Sequence, residues 1–140
     1  MAERYLLDTS AILALTDREA GWDTVAALLE DAAAGECLIE CCAASLMELY
    51  YLTLQEQNEQ KAAQLVGAVK TWPVSWIYPD EKIFLLAGRI KALHKLSFAG
   101  ALIAAVAVLH DATLVHKDPE IEALAGELAQ LTLPWKPKRH

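Results

Sequence analysis

Short apolar runs alternate with longer stretches in which apolar residues recur every three or four positions, along most of the chain. Residues 4–7, Arg-Tyr-Leu-Leu, form the first run. It ends at Asp8-Thr9-Ser10, and residues 11–15 follow with helix formers and no breaker, which predicts strand, turn and helix. A second helix is predicted over 22–34, with Val25, Leu28 and Leu29 apolar and Gly35 as its stop. Cys37-Leu38-Ile39 predicts a brief buried strand. Residues 43–55 and 60–70 have helical composition, and Pro73 closes the second stretch. A third strand is predicted over 74–78, a helix from Pro79-Asp80 to about His94, and another opening at Ser97 and running to Leu109. Residues 112–115 predict a fourth strand, Asp118-Pro119 opens a short helical stretch, and 128–133 predict a last strand. Strands alternating with helices of this length argue for a mostly parallel sheet covered on both faces, an α/β fold without internal repeats. One domain over residues 1–133 is expected, followed at 134–140 by an extended basic tail, Pro-Trp-Lys-Pro-Lys-Arg-His.

The 140 residues match the usual size of one domain, and 55% hydrophobic against 22% charged residues is a globular composition with a large core. Twelve Lys plus Arg against nineteen Asp plus Glu leave a formal charge of -7, so the chain has no general electrostatic grip on phosphate backbones. Any nucleic-acid binding has to be local or mediated by metal. The opening Met-Ala-Glu-Arg lacks the basic and apolar pattern of a secretion signal, so a cytoplasmic location is expected. The longest nearly uncharged apolar run, Phe98 to Leu109, falls short of the roughly 20 residues of a membrane span, and no membrane segment is expected. Cys37, Cys41 and Cys42 do not match the common zinc spacings and read as buried reduced thiols. Neither a Walker phosphate loop nor a Gly-rich dinucleotide fingerprint occurs, which argues against nucleotide-cofactor chemistry.

In an open parallel sheet, ligands bind beyond the carboxyl ends of the strands. Asp8 follows the first strand directly and Asp118 follows the fourth closely, so both are candidates for chemistry. Each is also placed to cap the next helix. Glu48 is unusual in another way: it sits within Leu46-Met47-Glu48-Leu49-Tyr50-Tyr51-Leu52, and no basic residue lies one turn away. Burying an unpaired carboxylate is costly, which leaves a remote cation, a bound metal or protonation as relief, unless the position is an exposed rim. Two acids at strand ends plus one on an apolar helix are the minimum set for a hard divalent cation such as Mg2+. Such an ion polarises a phosphoryl oxygen and activates water.

These residues resemble a known family. Leu6-Leu7-Asp8-Thr9-Ser10-Ala11-Ile12-Leu13-Ala14-Leu15 resembles the opening of a PIN domain, the fold of the VapC toxins of bacterial toxin–antitoxin pairs. Ser45-Leu46-Met47-Glu48-Leu49 is similar to its second acidic motif. The segment beginning Leu96-Ser97-Phe98-Ala99-Gly100 and the segment Ala112-Thr113-Leu114-Val115-His116-Lys117-Asp118-Pro119-Glu120 are similar to the third and fourth. The resemblance implies an α/β/α sandwich around a parallel sheet of about five strands. It also implies a Mg2+- or Mn2+-dependent endoribonuclease that forms a homodimer and is silenced by a cognate antitoxin. Carried over by residue, Asp8, Glu48 and Asp118 are the metal-binding carboxylates, with Thr9 and Ser10 beside them as hydrogen-bonding groups.

The chain departs from that pattern at two positions. Gly100 stands where the third motif normally carries Asp, and His116 stands where the fourth usually carries Thr or Ser. Losing one negative charge weakens affinity for a divalent cation, although water can fill a vacant position around Mg2+. His116 offers imidazole coordination, a phosphate contact, or no more than a polar residue at the pocket rim. Glu120 and Glu122 are candidate substitute acids or ordinary solvated positions. Lys117, Arg18 and the tail are candidate RNA contacts, and Tyr50, Tyr51, Trp72 and Trp76 serve either an interface or the core. Two functional readings follow: a ribonuclease toxin working with three carboxylates, and a degenerate PIN domain that binds RNA or protein without cutting.

Overall fold

The computed structural model describes residues 3–134, so all of the expected tail except Pro134 lies outside the described residues. Five strands form one all-parallel sheet: β1 (Glu3–Leu7), β2 (Cys37–Cys42), β3 (Ser75–Ile77), β4 (Thr113–His116) and β5 (Gln130–Thr132), in the order β3-β2-β1-β4-β5. The helices between them are α1 (Thr9–Thr16), α2 (Trp22–Ala33), α3 (Ala44–Glu56), α4 (Glu59–Val69), α5 (Glu81–Leu93), α6 (Phe98–Leu109) and the single turn α7 (Pro119–Glu122). The α/β architecture expected from the sequence is the one observed. Strand β2 extends three residues beyond the apolar stretch that announced it, because it pairs with β1 along its length and Cys41 and Cys42 bury one side chain into each face.

The period of two along a strand divides the core into two layers. Leu6, Cys42 and Leu114 pack with α5, α6, Ile121 and Leu124, whereas Leu7, Cys41 and Val115 pack with α1, α2, Leu49 of α3 and Val69 of α4. Both faces are therefore dry, which explains why β1 and β4 read as unbroken apolar runs rather than alternating ones. Helix α6 is apolar nearly all round, and nine of its twelve residues, Ala99 through Ala107, are buried. A helix of this composition belongs inside a core. No single helix among the described residues is long and apolar enough to cross a membrane.

The order of the sheet creates one special place. The chain moves outward from β1 through β2 to β3, then returns to place β4 on the opposite side of β1. The carboxyl ends of β1 and β4 are thus the point where the direction of winding reverses, and the chain segments leaving them diverge to leave a crevice. The amide of Asp8 donates to the Val115 carbonyl at 2.9 Å, which continues the β1–β4 ladder to the mouth of that crevice.

All three cysteines are buried and free. Burial pushes the Cys41 thiol up to about 12, so it stays protonated at neutral pH and is not poised as a metal ligand. Trp72 and Trp76 pack against the core, while Tyr51 is exposed.

Candidate functional site

A cleft of about 200 Å3 opens at the crevice, lined by Asp8, Thr9 and Ser10 from the β1–α1 junction, Glu48 from α3, Ser97 and Gly100 from the start of α6, and Asp118 after β4. Residues from four separate segments thus meet in one place. Asp8 and Asp118 are also helix caps: Asp8 Oδ2 accepts from the Ser10 amide at 3.0 Å and from the Ser10 hydroxyl, and Asp118 Oδ1 accepts from the Glu120 amide at 2.9 Å. Capping and lining the cleft are not alternatives here, because a cap needs one carboxylate oxygen and leaves the other.

Ser10 joins the two strand ends. Its hydroxyl donates to Asp8 and accepts from the Lys117 amide at 3.1 Å. Helix α3 buries Ser45, Leu49 and Thr53, spaced at one turn, and Glu48 lies beside that stripe in a half-buried position. The Thr9 hydroxyl donates to Glu48 Oε1 at 2.6 Å and lies 2.8 Å from the Ser45 hydroxyl. Thr9 has one proton and gives it to Glu48, so Ser45 donates to Thr9. The run is Ser45 to Thr9 to Glu48. In the sequence Ser45 is only the first residue of the motif around Glu48; its role depends on α1 crossing α3, which local spacing does not reveal.

Each carboxylate is therefore held by one oxygen. Asp8 Oδ1, Glu48 Oε2 and Asp118 Oδ2 have no protein donor among the described residues. Nor does any Lys or Arg pair with these three acids there, since the ion pairs among the described residues are His94–Glu127, His110–Glu40 and Lys117–Glu19. Burial pushes the Asp8 carboxyl above its usual range, the Ser10 hydrogen bonds oppose that rise, and the Asp118 charge adds to it. Burial likewise raises Glu48, against the Thr9 hydrogen bond and with help from Asp8 and Asp118. A cleft that gathers three carboxylates, each with one oxygen free of protein donors and none with a basic partner among the described residues, favours a bound cation.

The donor set consists of oxygens, the preference of a hard ion. Among the described residues no three Asp, Glu, His or Cys side chains lie close enough to enclose one ion. The arrangement fits a hydrated ion held by one or two carboxylates, as Mg2+ commonly is, and does not fit an all-protein cage.

At Gly100 the expected acid is absent, and the Ser97 hydroxyl accepts the Gly100 amide at 2.9 Å as the cap of α6. A Cβ at Gly100 would lie 3.0 Å from Ser97 Oγ. His116 is neither at the rim nor on the cleft wall; it is fully buried. Its Nδ1 accepts from the Asp118 amide at 3.0 Å, and its Nε2 lies 2.8 Å from Gln130 Oε1. Gln130 drew no attention in the sequence, where nothing distinguishes it from a solvated strand residue. Glu120 and Glu122 are exposed and do not line the cleft. Lys117 Nζ is engaged by the Ala20 carbonyl at 3.1 Å and by Glu19 at 3.6 Å, and the Arg18 guanidinium sits 4.2 Å from the centre of the Trp22 ring.

The sequence profile of the PIN domain matches residues 5–127. No curated protein matches the chain in sequence. Among solved structures, VapBC2 from Rickettsia felis bound to a promoter DNA fragment superposes with a TM-score of 0.76 at 18% identity, covering 94% of this chain and 99% of that one. DNA-bound VapBC from Salmonella typhimurium gives 0.72 at 14% identity, covering 94% and 98%. VapC20 from Mycobacterium tuberculosis, described as a toxin that cleaves the sarcin–ricin loop, gives 0.68 at 18% identity, covering 86% and 95%. At these identities the likeness concerns the fold.

Proposed function

This chain belongs to the PIN domain family, and we propose that it is a cytoplasmic, metal-dependent endoribonuclease, the toxin of a toxin–antitoxin pair. The observation that carries this reading is the meeting of Asp8, Glu48 and Asp118 in one cleft, each with one oxygen free of protein donors and none with a basic partner among the described residues. Asp8, Glu48 and Asp118 would surround a hydrated Mg2+ or Mn2+, one or two of them as direct ligands and the rest through its water. When bound, the ion supplies Lewis-acid polarisation of the scissile phosphodiester and a more acidic water as nucleophile.

The protein's own groups organise the rest. Ser10 fixes Asp8 relative to the strand that carries Asp118, so the two carboxylates keep their separation as substrate enters. Thr9 holds one oxygen of Glu48 and leaves the other to work. Burial raises both Asp8 and Glu48, and a raised carboxyl with one oxygen free of protein donors is suited to take the proton lost by the attacking water. Substrate choice would rest on unpaired bases and RNA shape.

Two partners accompany this reading. A groove of about 550 Å3 adjoins the cleft through Ser10, Leu13 and Leu52; it carries Asp17, Glu19 and Glu56 against Lys61 and Lys117, the latter paired with Glu19, and its mixed polar and apolar lining suits an antitoxin segment. The VapBC structures that share the fold are themselves complexes of such pairs. Phe84 of α5 and Phe98 of α6 are exposed and line one shallow hollow, an apolar surface consistent with a homodimer.

The absence, among the described residues, of three ligands close enough for one ion, with Gly100 at the vacated position, favours a second reading: a degenerate PIN domain that binds RNA or protein without cutting. The deciding experiment is cleavage of a panel of structured RNAs by purified, antitoxin-free protein in Mg2+, Mn2+ or EDTA, with Asp8→Ala as control. Metal-dependent cleavage lost in the control supports the nuclease; no cleavage in either metal supports the binding module.

A further inference from the structure

The hydrogen bonds around His116 can be assigned a direction. The Ile121 carbonyl can only accept, so it is the amide nitrogen of Gln130 that lies 3.0 Å from it. Gln130 Oε1 then faces His116 Nε2, which must carry the ring hydrogen, and Nδ1 is left as the acceptor for the Asp118 amide. The Thr132 hydroxyl, 3.5 Å from Nε2, is the remaining polar neighbour. The three bonds form one directed chain: Asp118 amide to His116, His116 to Gln130, Gln130 to the Ile121 carbonyl.

This chain closes on itself. It begins at Asp118 and ends three residues later at Ile121, so a single His–Gln bridge anchored on β4 and β5 grips both ends of the turn that carries the carboxylate. Ile121 is itself buried in the core and the Lys117 amide is bonded to Ser10, but Pro119, Glu120 and Glu122 are exposed, so between those two anchors the bond from the Asp118 amide to His116 is what ties the turn to the sheet. The geometry points to His116 and Gln130 as positioning residues that hold the Asp118 carboxylate at the cleft. His116 acts through its Nδ1 acceptor and Gln130 by orienting the ring. The inference rests on reading Asp118 as a site carboxylate.

The test measures two quantities on the purified full-length protein, the exchange rate of the Asp118 amide by NMR and the affinity for Mn2+ by calorimetry. His116→Leu removes the acceptor and should speed Asp118 exchange roughly tenfold while Leu6 in β1 stays protected. The same variant should weaken Mn2+ binding by about 10- to 100-fold. His116→Asn supplies Oδ1 at the position of Nδ1, the two-residue side-chain-to-backbone bond that Asn makes in turns, and should rescue both quantities. Gln130→Leu leaves the imidazole but not its orientation and should give an intermediate loss in both.

Unchanged exchange and affinity in His116→Leu would overturn the inference, as would a His116→Asn protein impaired as badly as the Leu variant. Should His116→Leu fail to fold, Gln130→Leu decides: parental exchange at Asp118 overturns the bridge. A parent protein that binds no Mn2+ overturns the nuclease reading alone, and exchange in the variants still decides whether the bridge holds the turn.

Discussion

The Thr9 hydroxyl donates to Glu48 Oε1 across 39 positions of sequence, at 2.6 Å, and ties the first turn of α1 to the middle of α3. Thr9 is buried, and the neighbouring Ser45 hydroxyl has no exposure. A short run of hydroxyls thus holds a carboxylate that would otherwise face an apolar surface.

Thr9→Val keeps the shape and removes the donor. The expected cost is about 1–3 kcal/mol, because Glu48 and Ser45 both lose a buried partner. Glu48 should also titrate higher still, since Thr9 is the hydrogen bond that opposes its rise. Urea unfolding and NMR titration of the Glu48 side chain check both parts. Unaltered titration would show that Thr9 does not act on the carboxylate.

Asp8 and Glu48 ionise less readily in the folded protein than in the unfolded chain. The sign follows directly: a raised folded pKa means that the native state holds the proton more tightly, so stability falls as pH rises from the unfolded value, about 4, through the folded one. Above that window the penalty is fully present. Asp8→Asn should therefore raise the melting temperature at pH 7, with the gain shrinking toward pH 4. The same variant should lack RNA cleavage. A melting temperature lowered at every pH would contradict the account of Asp8 as a strained buried charge.

Divalent cations should stabilise the parent protein and spare the variant. At a Mn2+ concentration about 100 times the dissociation constant, the gain is about 2.7 kcal/mol, and Asp8→Asn should lose most of it. Scanning calorimetry with Mn2+, Mg2+ and EDTA distinguishes this from a general salt effect, which would move both proteins equally.

Gly100→Asp adds a carboxylate to the cleft. Its Cβ meets Ser97 Oγ at 3.0 Å, so the cap must give by a few tenths of an ångström, and the hydroxyl can do so by rotating. Gly is also the poorer helix residue, by a few tenths of a kcal/mol against Asp. The expected outcome is near-parental stability with tighter Mn2+ binding, and cleavage increased from whatever level the parent shows. Stability preserved without any gain in metal affinity would mean that position 100 does not reach the ion.

Gly21→Ala should destabilise the fold by about 1–3 kcal/mol, measured by denaturant unfolding. Gly21 has φ of 94°, and a Cβ there would lie 3.0 Å from Leu133 Cβ beside the last strand. An equally stable Ala variant would mean that the turn before α2 can relax without disturbing β5.

Much of this molecule was legible along the chain. The apolar runs at Leu6-Leu7 and Leu114-Val115 announced strands dry on both faces, Ser97 announced the start of α6, and Pro73 marked the end beyond α4. Asp8 and Asp118 were identifiable because strand ends can be read locally, and Glu48 because a lone acid among apolar neighbours is anomalous. The roles of Ser45 and Gln130 were not legible. Each is an ordinary polar residue whose partner is reached only when two elements distant in sequence come together.

His116 shows the same division within one residue. Its identity stood out beside Asp118, and coordination, phosphate binding and a rim position were all compatible with that placement. Its complete burial and its bond to Gln130 follow from β5 pairing with β4, at the register His116 to Thr132. The sequence by itself determined the period of each element, the parallel α/β class and the three acids, because periodicity, capping and charge act between near neighbours. Tertiary structure decided that those acids share a cleft, which oxygens stay free and what holds Asp118, because these depend on strand order and helix crossing, which no local spacing contains.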